Sequence, residues 1–540
     1  MSLASHGPSG TGPRVGWVSG LDIHWASLRR AWAVRNVRRG AYGTLLIALG
    51  SLTPAYLPQN SPWWRMLRWF HLTGTPARII GTLLVMAGLA LLVDAWFRMR
   101  PEAQQRGSLV AYHQLKHWAV LAIWGFPFLL APPIFSHDAY SYAAQGWLIH
   151  NGINPYRGNV MLLPGAFADQ VAWVWRRTPA PYGPLSLQIQ HGLVDLTGFD
   201  PYLSALAMRI PALVGVVLIG LLVPRIAHRL GADPAMAAWF ATLNPVLVID
   251  FIGGAHNDAL MTGLLVLGLW FAFRADGAWL LSAVVIGLAA AIKQPAILAA
   301  YALPIISRPW LSWHWRATLS TVLRVLTSFA VAGGTFALLT HATGLGYGWL
   351  DAVSVPGMVV TVSPATIVGQ GAQLVLDAFH LDPSGTMAVS VARTIGLGLA
   401  AVLIAWWALT IGRTRPITFL AWSFLAVALC APALHSWYVL WGGVLLPLSR
   451  PSRRMVRGAV LMTVVLLAYA AINLAYRNSV SAVDPFNPAV ALGVAAAAGF
   501  AWQLRNHEQV TERRRRALRR REARNAGQSL ADTPAHRQGE

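Results

Sequence analysis

Residues 78–97, RIIGTLLVMAGLALLVDAWF, decide the class of fold. After the opening arginine the run is apolar apart from Asp94. Its length matches the roughly 20 residues that an α-helix needs to cross ~30 Å of hydrocarbon. Comparable runs recur on both sides. Ala41–Leu57 precedes it, and His117–Ile134, Leu203–Val223, Ala235–Phe251, Asp258–Phe273, Ala278–Ile292 and Pro295–Ile306 follow. Further along come Thr318–His341, Val389–Ile411, Ile417–Ala431, Trp437–Leu448, Val456–Leu474 and Pro485–Trp502. The pattern predicts an all-α polytopic membrane protein with roughly 12–14 transmembrane helices. Composition agrees: 56% of the 540 residues are hydrophobic and 11% are charged, less than half of the ~25% charged share of a soluble domain.

The net charge of +22 gathers beside the apolar runs, at Arg35/Arg38/Arg39, at Arg450/Arg453/Arg454/Arg457 and in the tail from Arg513 to Arg521. Such placement signals positive-inside topology and contact with anionic lipid rather than binding of nucleic acid. Residues 1–40 lack the apolar core of a secretory signal, so the N-terminus is expected in the cytoplasm. Alternate loops bearing Arg98/Arg100/Arg106/Lys116, Arg225/Arg229, Arg274, Arg308/Arg316 and Arg413/Arg415 then also fall inside. This scheme requires residues 278–306 to break into two short helices at Lys293-Gln294-Pro295; a single tilted helix would invert everything after it. The expected organisation is a cytoplasmic basic segment at 1–40, a transmembrane domain at 41–503, and a cytoplasmic arginine-rich tail at 504–540 that is disordered at its end. Two long non-helical segments, 135–202 and 342–388, fall outside. Within them Leu187–Leu196 and Ile367–Phe379 read as amphipathic surface helices. The single cysteine, Cys430, excludes an intramolecular disulfide and a cysteine metal cluster.

Only 20 residues are acidic, so those expected at the outer membrane face are informative. Asp138, in FSHDAYSYA (135–143), follows the outer end of a spanning run. A partly desolvated carboxylate there can act as a general base toward a hydroxyl, or it can cap a helix or pair with a cation. The stretch GGAHNDALM (253–261), preceded by Asp250, sets His256, Asn257 and Asp258 side by side in apolar surroundings. Ionisable groups at such depth read as functional, while capping of the next helix by Asn257 or Asp258 is the structural alternative. Lys293 interrupts an apolar run; a lipid-linked phosphate is one possible counter-ion, and snorkelling to the interface is the other reading. His435-Ser436-Trp437-Tyr438 joins hydrogen-bonding groups to aromatic faces. Arg157, in NPYR (154–157), and Tyr182, in YGP (182–184), complete a polar, aromatic first loop. No Walker-type loop, His-x-x-x-His pair, Gly-x-Ser-x-Gly elbow or dinucleotide fingerprint is present. Nucleotide-driven chemistry is therefore not expected, and an activated substrate would arrive through the membrane.

Taken together, SHDAYSYAAQG (136–146), APYGPL (180–185), Gly253–Met261 and HSWY (435–438) resemble the polyprenol-phosphate-mannose-dependent α-1,6-mannosyltransferases of actinobacteria, within the C-type glycosyltransferase superfamily. The likeness runs from about Ile134 to Leu448. It implies a C-type helical bundle with long external loops carrying amphipathic helices. It also implies an inverting enzyme that moves mannose from polyprenyl-phosphate-mannose to a growing α-1,6-mannan, of the lipomannan or lipoarabinomannan type, on the outer face of the plasma membrane. Asp138 matches the family's catalytic acidic position; His137 stands where many C-type enzymes carry a second acidic residue. On this reading Lys293, His256, Asn257, Asp258, Arg157 and His435 bind the donor and its phosphate, and His137, Tyr142, Tyr182, Trp437 and Tyr438 line the substrate cavity. No cofactor or metal ligand is expected, although a divalent cation is compatible with the reading. The partners implied are the lipid-linked donor, a mannan glycolipid acceptor and membrane lipids, without nucleic acid. Two alternatives stay open. A lipid-linked-sugar transporter would need polar residues through the whole membrane and related halves, and a C-type enzyme for another sugar would share the fold and the base.

Overall fold

The computed structural model describes residues 25–479 except 54–55, 102–114, 276, 353–354, 356–362 and 382–383, together with Gly499. Among the described residues the regular structure is entirely helical, without a strand. The expected helix at Pro485–Trp502, residues 1–24 of the basic N-terminal segment and the tail at 504–540 lie outside them.

Among the described residues five helices are long and apolar enough to cross a membrane: Thr75–Arg98, Pro201–Arg229, Trp315–Ala342, Met387–Leu409 and Arg453–Leu474. A sixth is a bent pair, Pro234–Thr242 and Leu247–Gly253, which meet at 53°. Pro245 occupies the bend, where it supplies no N–H for a continuing helix. Asn244 stands in, its Oδ1 accepting from Val246 N at 2.9 Å and its Nδ2 reaching Thr463 Oγ1 at 3.3 Å. The other apolar helices are shorter, with 10–17 residues: His117–Phe128, Asp258–Ala272, Trp279–Ile292, Gln294–Ser307 and Pro416–Cys430. Proline accounts for much of the shortening, because Pro132 and Pro133 end the run begun at His117 and Pro447 lies in the short helix that follows Ser436–Gly443. The break expected at Lys293-Gln294-Pro295 is present. Lys293 adopts an extended backbone (φ −151°, ψ 123°) between the Trp279–Ile292 helix and a 3₁₀ segment, Gln294–Tyr301.

Two polar groups inside the bundle illustrate the pairing that a bilayer favours. Asp94, the one acid in the deciding run, is held by Arg39 and by Arg98, the latter at 2.8 Å. Trp96 and Trp239 stack at 4.6 Å, and each indole N–H donates to the other's backbone carbonyl, at 3.0 and 2.7 Å.

The segment 135–202, expected to be largely non-helical, carries two 13-residue helices, Asp138–His150 and Pro184–Leu196. The first escapes a periodicity reading because Ala139 through Gly146 are all buried, so no polar stripe marks a solvent face. In the second segment, Pro364–Ala378 begins where Ser363 Oγ accepts from Thr366 N at 3.2 Å, an N-cap.

One close approach fixes the site's frame. The Pro201–Arg229 span meets the Asp258–Ala272 helix at Gly215 and Gly263, and a Cβ on Gly215 would lie 2.0 Å from Ala259 O. Backbone cannot yield there as a side chain would. Gly215→Ala should therefore destabilise the protein by about 1–3 kcal/mol through overpacking, read as a lower midpoint of thermal unfolding in detergent.

Candidate active site

The bent span ends at Gly253, and its last carbonyls are captured by a buried arginine. Arg209 donates through Nε to Ile252 O and through a terminal nitrogen to Gly253 O, both at 3.0 Å. Beyond it Ala255 takes a left-handed backbone (φ +56°), which a non-glycine residue adopts at a cost of about 1–3 kcal/mol. That turn places His256 in the protein interior and starts the next helix at Asp258. Ile134 N donates to Gly253 O at 3.4 Å, so the chain leading to Asp138 runs alongside. Asp138 opens its helix, where a carboxylate complements the macrodipole, and its own N–H donates to Ser136 Oγ at 3.0 Å.

Asp138 Oδ2 lies 3.4 Å from His256 Nδ1; the His256 side chain is fully buried and that of Asp138 is 18% exposed. Burial pushes the Asp138 carboxyl up, but the adjoining His256 and the Ser136 hydroxyl outweigh it and hold the group down at about 2. His256 stacks on one face of Trp437, with ring centroids 3.6 Å apart and 20° between planes. His435 also lies parallel to Trp437, at 4.5 Å and 9°. Burial, opposed by the charge of Asp138 and reinforced by that of Lys293, pushes His435 down to about 4, so it is neutral at pH 7.

Asp258 and Lys293 form the second half of the cluster. The Lys293 ammonium donates to both carboxylate oxygens, at 2.8 and 2.9 Å, and Trp441 Nε1 donates to Oδ1 at 2.7 Å. Around the ammonium stand the rings of Tyr438 at 4.4 Å, Trp441 at 5.3 Å and Tyr182 at 5.9 Å, a cation–π enclosure. The Tyr182 turn is fixed by Gly183 N donating to Ile292 O at 3.1 Å, by Tyr156 Oη donating to Tyr182 O at 2.7 Å, and by edge-on contact with Tyr142 at 5.1 Å. Asn257 links the halves to the Pro184–Leu196 helix. It accepts from Tyr142 Oη at 3.3 Å and donates to Ser186 Oγ at 3.1 Å. Behind Asn257, a hollow of about 10 Å³ bounded by Tyr142, Ser186, Met208 and Ile292 has room for about one water. Asp138, Tyr182, His435 and Tyr438 are the partly exposed members of the cluster.

The structure thus brings together Asp138, His256, Asn257, Asp258, Lys293, His435, Tyr142, Tyr182, Trp437 and Tyr438. Two of the expected residues stand apart. His137 turns to Gln170 O at 3.3 Å and packs on Tyr56 and Tyr140, and Arg157 is exposed in the turn after Asn154. Lys293 is not a free cation awaiting an anion, because Asp258 already balances it. Trp441, Ser186 and Arg209 are not singled out by the sequence. Only Arg209 leaves a signal there, as a charge inside the apolar run Leu203–Val223.

Fold and site together define a polytopic, all-helical membrane protein whose buried charges gather around one accessible carboxylate. Residues 37–310 match the family model described as "Alpha-(1→6)-mannopyranosyltransferase, N-terminal domain", and residues 365–505 match one described as "MptB C-terminal domain". A Mycolicibacterium smegmatis protein named "probable alpha-(1→6)-mannopyranosyltransferase" is 31% identical, over 78% of this chain and 80% of its own length. "Alpha-(1→6)-mannopyranosyltransferase A" of Mycobacterium tuberculosis is 29% identical, over 80% and 84%. "Alpha-(1→6)-mannopyranosyltransferase B" of Corynebacterium glutamicum is 26% identical, over 77% and 73%. No solved structure matches the chain. The chain belongs to the α-(1→6)-mannopyranosyltransferase family and is a glycosyltransferase.

Removing one partner of a buried ion pair strands the other, at about 3–5 kcal/mol. Lys293→Ala should therefore lower the thermal unfolding midpoint markedly, and Lys293→Met combined with Asp258→Leu should recover much of the loss. An unshifted midpoint for Lys293→Ala would contradict the pairing. The depressed pKa of His435 sets a second expectation. The unfolded chain takes up a proton near pH 6.5, whereas the folded one does so only near pH 4, so stability falls as pH drops through that window. His435→Gln should flatten the decline between pH 6.5 and 4, measured by thermal unfolding across that range.

Proposed function

We propose that the protein is an inverting mannosyltransferase that moves mannose from polyprenyl-phosphate-mannose onto a growing α-1,6-mannan of lipomannan type. The observation that carries this reading is Asp138, ionised and at a helix N-terminus, and partly open where His256 and Asp258 are sealed in. The names of the relatives supply the sugar and the linkage. The charge asymmetry of the loops supports an orientation with both termini in the cytoplasm and Asp138 at the outer face of the plasma membrane.

In the reaction, the 6-hydroxyl oxygen of the acceptor attacks the anomeric carbon from the side of Asp138. As that bond forms, the bond from carbon to phosphate oxygen breaks, and polyprenyl phosphate departs with the bonding pair. The hydroxyl proton passes to the Asp138 carboxylate. A carboxylate whose pKa is lowered by its neighbours is a weak base toward a ground-state hydroxyl, which favours proton transfer late, once C–O cleavage is under way. This order suits an oxocarbenium-like transition state, in which the attacking hydroxyl turns acidic as it bonds. A phosphate leaving group needs no strong acid. Lys293 gives two of its three ammonium protons to Asp258, which leaves one for a phosphate oxygen. The preorganised charge and the aromatic walls then stabilise the departing anion more than solvent would.

The test uses purified protein with labelled polyprenyl-phosphate-mannose and short α-1,6-mannosides. The expected product carries a new α-1,6 linkage, and Asp138→Asn should slow its formation by about 10²–10⁴-fold while thermal stability is retained. Transfer at an undiminished rate by Asp138→Asn contradicts the assignment of the base. Movement of donor across vesicles without any glycosidic product points instead to a transporter.

A further inference from the structure

Away from the Asp138 cluster, a second group of polar side chains meets at the half-exposed edge between the two helices of segment 135–202. His150 ends the Asp138–His150 helix. His191 and Asp195 lie one turn apart on the same face of the Pro184–Leu196 helix. The two helices close on each other at Gly146, where a Cβ would come within 2.5 Å of Gln190 O, and this approach sets His150 opposite the other two. His150 Nδ1 is 2.9 Å from Asp195 Oδ1, and His191 Nε2 is 3.4 Å from Asp195 Oδ2. One donor atom from each of the three residues falls within 4.8 Å of the others. A tetrahedral zinc ion with ligands at ~2.0–2.1 Å has donor-to-donor edges of roughly 3.3 Å, so the two histidine-to-carboxylate separations bracket that figure and small side-chain rotations would bring all three donors to it.

The surroundings suit a bound ion. The His150 ring lies parallel to Trp147 at 5.2 Å and 11°, and packs on Phe199 at 4.3 Å, so its orientation is set by neighbours other than Asp195. The three side chains are 34%, 28% and 45% exposed, which leaves one side open to solvent for a fourth ligand. Two imidazoles with one carboxylate fit zinc and its neighbours in the first transition row. Magnesium and calcium favour oxygen ligands in larger numbers.

We infer that His150, His191 and Asp195 form a binding site for a divalent transition metal ion, zinc foremost, with a water molecule as fourth ligand. The ion would staple the far end of the helix that begins at Asp138 to the helix that carries Ser186, the hydrogen-bond partner of Asn257. It touches no reacting atom. Its effect is to stiffen the frame in which the carboxylate is held, and it stands whether or not the proposed transfer reaction is correct.

The experiment uses tag-free full-length protein in detergent, stripped with a chelator and titrated calorimetrically with zinc. Cobalt, followed by its visible absorption, serves as an independent probe of four-coordinate geometry. One equivalent of zinc should bind and raise the thermal midpoint. His191→Ala and Asp195→Asn should each weaken binding at least tenfold, and His380→Ala, at an exposed site elsewhere, should leave it unchanged. Absence of zinc binding and of the cobalt spectrum in the stripped wild-type protein overturns the inference, even if a variant fails to fold. Equal zinc affinity in the wild type, His191→Ala and Asp195→Asn overturns it too, and would leave the three side chains as an ion pair only.

Discussion

The pairing of Lys293 with Asp258 organises the interior of this protein. Either charge alone would be prohibitively costly in an apolar bundle. Held at 2.8 and 2.9 Å, with Trp441 donating to the same carboxylate, the pair becomes a junction between parts of the chain 35 and 183 residues apart. Asp258 opens one helix, Lys293 sits at the extended break between two others, and Trp441 belongs to the helix that starts just after His435. The aromatic enclosure follows from the same constraint, because Tyr182, Tyr438 and Trp441 offer π-faces where water is excluded. His256 is two residues from Asp258, so the position of Asp138's neighbour is set by the same anchor.

Such a junction also lets the candidate site be assembled from distant segments with a defined geometry. Asp138 and Asp258 each open a helix and Lys293 lies at a break, while Tyr142 and Trp441 reach the cluster from within helices. The Asp138 carboxylate is oriented from below by its own helix and from the side by His256. His256 is oriented by the left-handed turn at Ala255 and by stacking on Trp437. The Lys293 ammonium is neutralised by Asp258, so no lone positive charge is buried in the bundle at this point.

The class of fold is legible in the sequence because uncharged runs of about 20 residues are the length a bilayer demands and are rare in soluble chains. Most of the site is marked as well, because polar residues in an apolar context stand out. Three kinds of feature are hidden. Partnership is hidden: nothing in a linear reading joins Lys293 to Asp258 across 35 positions, and the lysine reads as a free cation. A helix buried on all sides is hidden too, since Asp138–His150 shows no alternation of polar and apolar faces, and Asp138 reads as a loop residue. Trp441 is lost among 25 tryptophans, most of which need no role beyond packing or the interface. Arg157 misleads for the converse reason: its proximity in sequence to the aromatic first loop says nothing about its direction.

The span Trp315–Ala342 has 28 residues and so runs for about 42 Å at 1.5 Å per residue, roughly 12 Å more than typical hydrocarbon thickness. Only 17% of its apolar window is covered by protein, so most of that window is left for lipid to cover. The segment just past its end is tied to the active site, since Leu345 O accepts from Asn154 and Tyr156 reaches on to Tyr182 beside Lys293. Through that tether any change in the inclination of this helix would reach the Tyr182 turn beside Lys293, which couples a largely lipid-facing surface to the candidate site.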